Sequence, residues 1–439
     1  MKNSILRGAA CAALVGAIVC ASPASALNIV LSPDDSFTQS PNGAAALLGF
    51  QKAANYWNKT LSNNVNLLFD VHFAELDEGV LGGTYSNTFG QSAKSVYKQL
   101  KATGDSKLDK IAVANLRPLD KGGVDYRTPG IDGGVTSVDV SSRFDNNGTA
   151  NNTMLNTNTS IDKALKLSVD YSKSGFVGLN KFFSDNGYSD RVNPNADADI
   201  TFSSTFGFDF DPTNGVDVGT YDFVGVAIHE MGHALGFVSG LDDYDYSIGG
   251  MTAAEVDATP VLTTLDLFRY GATTPRPDGT YDLQLDPGRS AFFSVDARNP
   301  FVDDEPAIQT SSYFATGANY GDGGQGSHWE DQTRGRVLPN GCFKSDRQEG
   351  IMDPTIDDCR KGAITGNDLG AFDAMGWNLN GIDILNDRGY TFDTAQAFKL
   401  PGLASIGGVP EPATWAELLL GFGVVGGAAR RRARVAGAA

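Results

Sequence analysis

His229 and His233 stand four residues apart with Glu230 between them, in the run Tyr221 to Phe237 that reads YDFVGVAIHEMGHALGF. On a helix, positions i and i+4 share a face, so both imidazoles can reach one ion at the roughly 2.0–2.1 Å that Zn²⁺ takes to histidine nitrogen. Glu230 beside them has the position of a general base for water at that ion. The chain has only 4 histidines, at 72, 229, 233 and 328, so a pair at this spacing stands out. Zinc suits the pair because imidazole is a borderline ligand and hydrolysis needs no redox partner. The plainer alternative is a chance HExxH on an ordinary helix.

That helix has to be started, stopped and backed. Side-chain oxygens at Thr220 to Asp222 can satisfy its first amides, and Gly236 can end it. Phe223, Val226, Ala227, Ala234 and Leu235 supply its packing face. Ahead of it, Asn28 to Leu31 reads as a short strand. Ala44 to Trp57 reads as an amphipathic helix through Ala45, Leu48, Ala53, Ala54 and Trp57. Val65 to Phe73 alternates as a half-buried strand, with His72 on it as a structural residue. Helix 92–102, a strand at Ile111 to Val113, a surface loop over the Asn- and Thr-rich 144–160 and a strand at Asp197 to Phe202 follow. From 241 to 350 the patterning weakens into loops and short strands, and Thr365 opens a capped helix running to Trp377. Trp329 and Trp377 read as core. The fold class is α+β: a mixed-sheet lobe with a backing helix and an active-site helix, then a loop-rich lobe.

Two imidazoles require a third ligand. Gly236 continues the pattern to HExxHxxG, and the position of a compact third histidine is occupied by Ser239. The one histidine downstream is His328, in Gly326-Ser327-His328-Trp329-Glu330, and Glu349-Gly350-Ile351-Met352-Asp353-Pro354 follows as a turn carrying Met. Glu255, at a gluzincin-like spacing, and Asp242 or Asp243 are rivals for the third place. The order HExxHxxGF, long insertion, SHWE, Met turn resembles the leishmanolysin-like branch of the metzincin peptidases, over 221–240 and 326–354. The resemblance implies a metzincin-like zincin fold. It implies His229, His233 and His328 as zinc ligands, Glu230 as general base and Met352 in the Met turn beneath the metal.

Cys342 and Cys359 bracket that turn. In an exported chain they are a disulfide candidate, and closing such a loop contributes roughly 3 kcal/mol. No cysteine lies between 27 and 341, so an N-terminal cysteine switch over the zinc is not expected. Asp209, Asp211, Asn214 and Asp217 offer the oxygen donors Ca²⁺ takes, although acidic turns are ordinarily just solvated.

The two ends read as addresses. Residues 1–26 form a signal peptide: Lys2 and Arg7, the apolar run Ala9 to Val19, and the small-residue site Ala24-Ser25-Ala26. Removing it takes away Cys11 and Cys20. The metallopeptidase domain is expected over 27–395, with an N-lobe of about 27–240 and a C-lobe of about 241–395, followed by a linker at 396–408. The tail 409–439 carries Val409-Pro410-Glu411-Pro412, an apolar run and Arg430-Arg431-Arg432. It resembles the PEP-CTERM sorting signal. That implies an exosortase and export machinery as partners, transient membrane contact through 413–429, and a place in the secreted or surface matrix of a Gram-negative-type bacterium, with surface polysaccharide nearby.

The 34 basic residues against 52 acidic ones give a net charge of −18, which argues against nucleic acid as a partner. Mean hydropathy of −0.19 excludes a multi-span membrane protein. The expected function is an exported zinc endopeptidase acting on protein or peptide. The alternatives are a non-catalytic surface or biofilm-matrix protein on the same scaffold, or a zinc hydrolase of non-peptide amides or esters.

Overall fold

Alternating apolar residues on three strands make one face of a sheet. Ile29 and Leu31 in strand Asn28–Pro33, Leu67, Phe69, Val71 and Phe73 in strand Asn66–Ala74, and Ala198, Ile200 and Phe202 in strand Ala198–Ser203 all belong to the main core. The computed structural model describes residues 27–76, 79–86, 88–120, 123–124, 137–141, 196–247, 262–302, 311–331, 335–345 and 348–407. The signal peptide, the loop 144–160, Glu255 and the sorting tail 409–439 lie outside the described residues.

The sheet has 5 strands in the order Ser405–Ile406, Asn28–Pro33, Asn66–Ala74, Ala198–Ser203, Gly82–Ser86. The first four run parallel, with Leu31 opposite Phe69 and Phe69 opposite Ala198. Among the described residues Gly82–Ser86 is the antiparallel edge. Together with the helices around it, this makes a mixed α and β architecture, as expected at the level of class.

The helix expected at 44–57 is Gly43–Thr60, and it packs on the sheet beside the helix Phe223–Ala234 that carries the HExxH run, which itself lies against Gly82–Ser86 and Ala198–Ser203. Phe50 meets Phe223 edge-on at 5.3 Å, and Trp57 donates its indole N–H to the Ile228 carbonyl at 3.2 Å. Gly49 has no side chain because one would collide with the Phe223 ring. This helix therefore fixes the depth of the HExxH helix in the core.

Four expectations change. The strand around Val65 to Phe73 is buried on both faces, not one, because Leu68, Asp70 and His72 are also covered. Ile111 to Val113 lies in the helix Lys107–Asn115, not a strand. Ser106 and Asp109 close a capping box there, with Asp109 N donating to Ser106 Oγ at 2.9 Å and Ser106 N to Asp109 Oδ2 at 3.0 Å, and that start signal outweighs two β-branched residues. The segment 396–408, expected as a linker, belongs to the fold as far as it is described: helix Thr394–Lys399 buries Ala397, and Ser405–Ile406 extends the sheet. The capped helix after Thr365 spans Gly366–Ala374 and stops short of Trp377, where Gly376 takes a φ of 104°.

The region 262–345 holds short strands as expected. Arg269–Gly271, Ala291–Phe293 and Tyr313–Phe314 form a small antiparallel sheet, and Leu241–Ser247 is a helix ahead of it. One apolar cluster runs from Leu27 to Ala404 through both halves of the chain.

His72 sits on the sheet face away from that cluster. Its Nδ1 meets Asp34 Oδ2 at 2.8 Å and its Nε2 meets Asp199 Oδ2 at 2.9 Å. Burial opposes its charge, but the hydrogen bonds and charges of Asp199 and Asp34 prevail and raise its pKa to about 8. A raised folded pKa gives stability that is complete below the unfolded value and lost as pH climbs through the folded one. Stability should therefore fall between about pH 6.5 and pH 8 by a His72 contribution on the order of 1 kcal/mol. Urea unfolding of the native chain and His72→Asn across that window checks this. An equal pH slope in both proteins would contradict it.

Candidate metal centre

The helix Phe223–Ala234 begins where expected. Asp222 caps it, accepting from Gly225 N at 3.1 Å, and its second oxygen accepts from Gly362 N at 3.0 Å and from the Thr394 hydroxyl. The helix ends through Gly236, whose φ of 104° suits glycine, so Phe237 N can turn back to the Gly232 carbonyl at 3.1 Å. Phe223, Val224, Ala227, Ile228 and Met231 bury the opposite face. That leaves His229 and His233 directed into a cleft of about 1410 Å³.

His328 joins them there. The three Nε2 atoms lie 3.1 Å (His229 to His233), 3.2 Å (His233 to His328) and 3.3 Å (His328 to His229) apart. Each Nδ1 faces a backbone carbonyl: Ile351 for His229 at 2.7 Å, Phe237 for His233 at 2.7 Å and Gln325 for His328 at 3.2 Å. A carbonyl can only accept, so each Nδ1 is the protonated nitrogen and each Nε2 of a neutral ring carries its lone pair inward. Burial keeps the rings neutral, holding His229 at about 4 and His233 at about 3, with the neighbouring imidazoles pushing His233 and His328 further down.

Three lone pairs cannot hydrogen-bond to one another. They suit a Lewis acid, and tetrahedral ligands at about 2.0–2.1 Å from one ion stand roughly 3.3 Å apart. These histidines are close enough to bind a metal ion. They are also the one such group of three or more His, Cys, Asp or Glu among the described residues.

One rival for the third place, Asp242, holds the His328 loop instead. Asp242 accepts from Gly326 N at 2.5 Å, from Ser327 N at 3.1 Å and from the Ser327 hydroxyl. Ser239, at the compact motif's third-histidine position, donates its N–H to Ser327 Oγ at 2.8 Å. Buried Arg269 donates to the Gly326 carbonyl at 3.1 Å. Asp243 lines the cleft without joining the histidine group. His328, far along the chain, is thus locked to the end of the HExxH helix by a serine and an aspartate that follow it.

Glu230 lies in the same cleft, buried, and burial raises its pKa to about 7 against the opposing Thr84 hydrogen bond. The Thr84 hydroxyl donates to Glu230 Oε2 at 2.7 Å and also faces the Glu230 carbonyl at 3.0 Å. Ser86 Oγ donates to the His233 carbonyl at 2.9 Å, so the edge strand Gly82–Ser86 is laid against the helix. Gly82 leaves room for the carboxylate, since a Cβ there would come within 3.2 Å of Glu230 Oε1. The sequence reading missed Thr84; a hydroxyl on an unpatterned glycine-rich strand carries no signal by itself.

Met352 is fully buried against the helix, where any side chain at Gly232 would strike its sulfur. Cys342 and Cys359 form a disulfide, Cα to Cα 5.8 Å, around the Met turn. Cys359 N also donates to the Thr220 carbonyl at 2.9 Å, next to the helix start. Asp209 and Asp211 close their acidic turn on its own backbone, accepting from Asp211 N and Thr213 N at 2.9 and 3.0 Å. Trp329 and Trp377 are buried, as expected.

If the third imidazole completes the set, His328→Ala should bind Zn²⁺ at least tenfold more weakly than the native chain in a chelator competition. Equal affinity would move the third ligand elsewhere. No protein-family model, curated protein or solved structure matches the chain.

Proposed function

We propose that the chain is an exported zinc-dependent endopeptidase of the metzincin type, close in plan to the leishmanolysin-like branch, with His229, His233 and His328 as ligands and Glu230 as general base. The observation that carries this reading is the convergence of three neutral Nε2 lone pairs beside a buried carboxylate in one open cleft. Zinc, when bound there, would polarise a carbonyl oxygen and acidify a water molecule.

The rest of the chemistry falls to the protein. With Oε2 held by Thr84, Glu230 Oε1 is the atom left to take a proton from water and return it to a leaving amine. A peptide substrate suits the cleft because Gly82–Ser86, the edge strand of the sheet among the described residues, lines it, so an extended chain can run alongside. Met352 and the disulfide-bounded turn would support the site from below. Export rests on the N-terminal leader and on the tail resembling PEP-CTERM.

Against a non-catalytic scaffold stands Glu230 itself, a carboxylate kept in the cleft beside the three histidines. Glu230→Gln should keep one zinc per chain and lose casein cleavage by at least a hundredfold, the scale of general-base catalysis. Undiminished cleavage by that variant would remove the role.

A further inference from the structure

The Met turn and the His328 loop come from separate segments, yet both terminate on one carboxylate that the zinc reading does not use. Asp368 is fully buried in the first turn of the helix Gly366–Ala374. Its Oδ1 accepts from Trp329 Nε1 at 2.8 Å and Met352 N at 3.2 Å. Its Oδ2 accepts from Thr365 N at 2.7 Å and Ile351 N at 2.9 Å. Among the described residues no lysine or arginine pairs with it, so these N–H groups, with the Thr365 hydroxyl at 3.3 Å from Oδ2, are what compensate its burial.

Two of those bonds lead straight to the histidines. Ile351 is gripped at its N–H by Asp368, while its carbonyl receives His229 Nδ1 at 2.7 Å. Trp329 follows His328 in the chain, is held by Asp368 at its indole, and donates its own N–H to the Met352 carbonyl at 3.0 Å. Gly350 permits the approach, since a side chain there would overlap the Asp368 carboxylate.

We infer that Asp368 is a positioning residue of the metal centre: by fixing Ile351 and Trp329 it orients the His229 and His328 rings and so sets the affinity for Zn²⁺. This rests on the metal-site reading above. The role requires a carboxylate. Asparagine has one acceptor oxygen, and in either orientation its amide would face two N–H donors.

The test is Zn²⁺ affinity of the full chain by competition with a chromophoric chelator, alongside thermal unfolding of the metal-free proteins. Asp368→Asn should bind Zn²⁺ 10–100-fold more weakly, the usual effect of removing a partner behind a ligand. Trp329→Phe keeps an aromatic side chain in the core but loses the indole N–H and some volume, so it should show a smaller loss in the same direction. It also serves if Asp368→Asn fails to fold. Native affinity in a folded Asp368→Asn, or in Trp329→Phe, would overturn the inference. Lowered metal-free stability with unchanged affinity would overturn it too, by showing a scaffold role only. A native chain that binds no Zn²⁺ would instead defeat the underlying metal-site reading.

Discussion

Three neutral imidazoles with their lone pairs turned toward one point repel one another unless a cation lies between them, so the fold must hold them there. It does so from behind. Each ring is fixed by a backbone carbonyl at Nδ1, and the three carbonyls belong to the helix C-terminal turn, the Met turn and the His328 loop. The rest of the structure can be understood as the means of bringing those three carbonyls to one place. The sheet and backing helix set the HExxH helix, and the chain beyond 238 supplies the other two carbonyls.

That second task falls mainly to buried aspartates. Asp222, Asp242, Asp266 and Asp368 each accept several hydrogen bonds from backbone N–H and hydroxyl groups, and each joins segments distant in sequence. Burial pushes Asp222, Asp242 and Asp368 up to about 6, which marks how far they sit from water. Aspartate suits this work because its short side chain reaches backbone amides with little entropy to lose. The chain has 43 Asp against 9 Glu, a bias that a fold organised by side-chain-to-backbone bonds in loops would need.

Much of the N-terminal half was legible because period and capping are local properties. The helix Gly43–Thr60, the strands around Leu67 to Phe73 and Ala198 to Phe202, and the limits of the HExxH helix all follow from apolar spacing, Asp222 and Gly236. Ile111 to Val113 misled because β-branched propensity is weaker than a capping box. The segment after 395 misled because small residues read as a linker, although Ser405–Ile406 only needed backbone groups to join the sheet. His328 was legible through its motif, since no periodicity links it to His233. Thr84, Asp368 and the tasks of Ser239 and Asp242 were not legible. Each acts through one hydrogen bond or a few to a distant segment, and a single polar residue leaves no periodic pattern.

X-ray absorption at the zinc edge, on the full chain loaded with one equivalent of Zn²⁺, tests the central claim most directly. The account predicts three histidine nitrogens at about 2.0–2.1 Å, a light-atom fourth ligand and no sulfur. Failure to retain zinc, or a shell with fewer than three imidazoles, would contradict it.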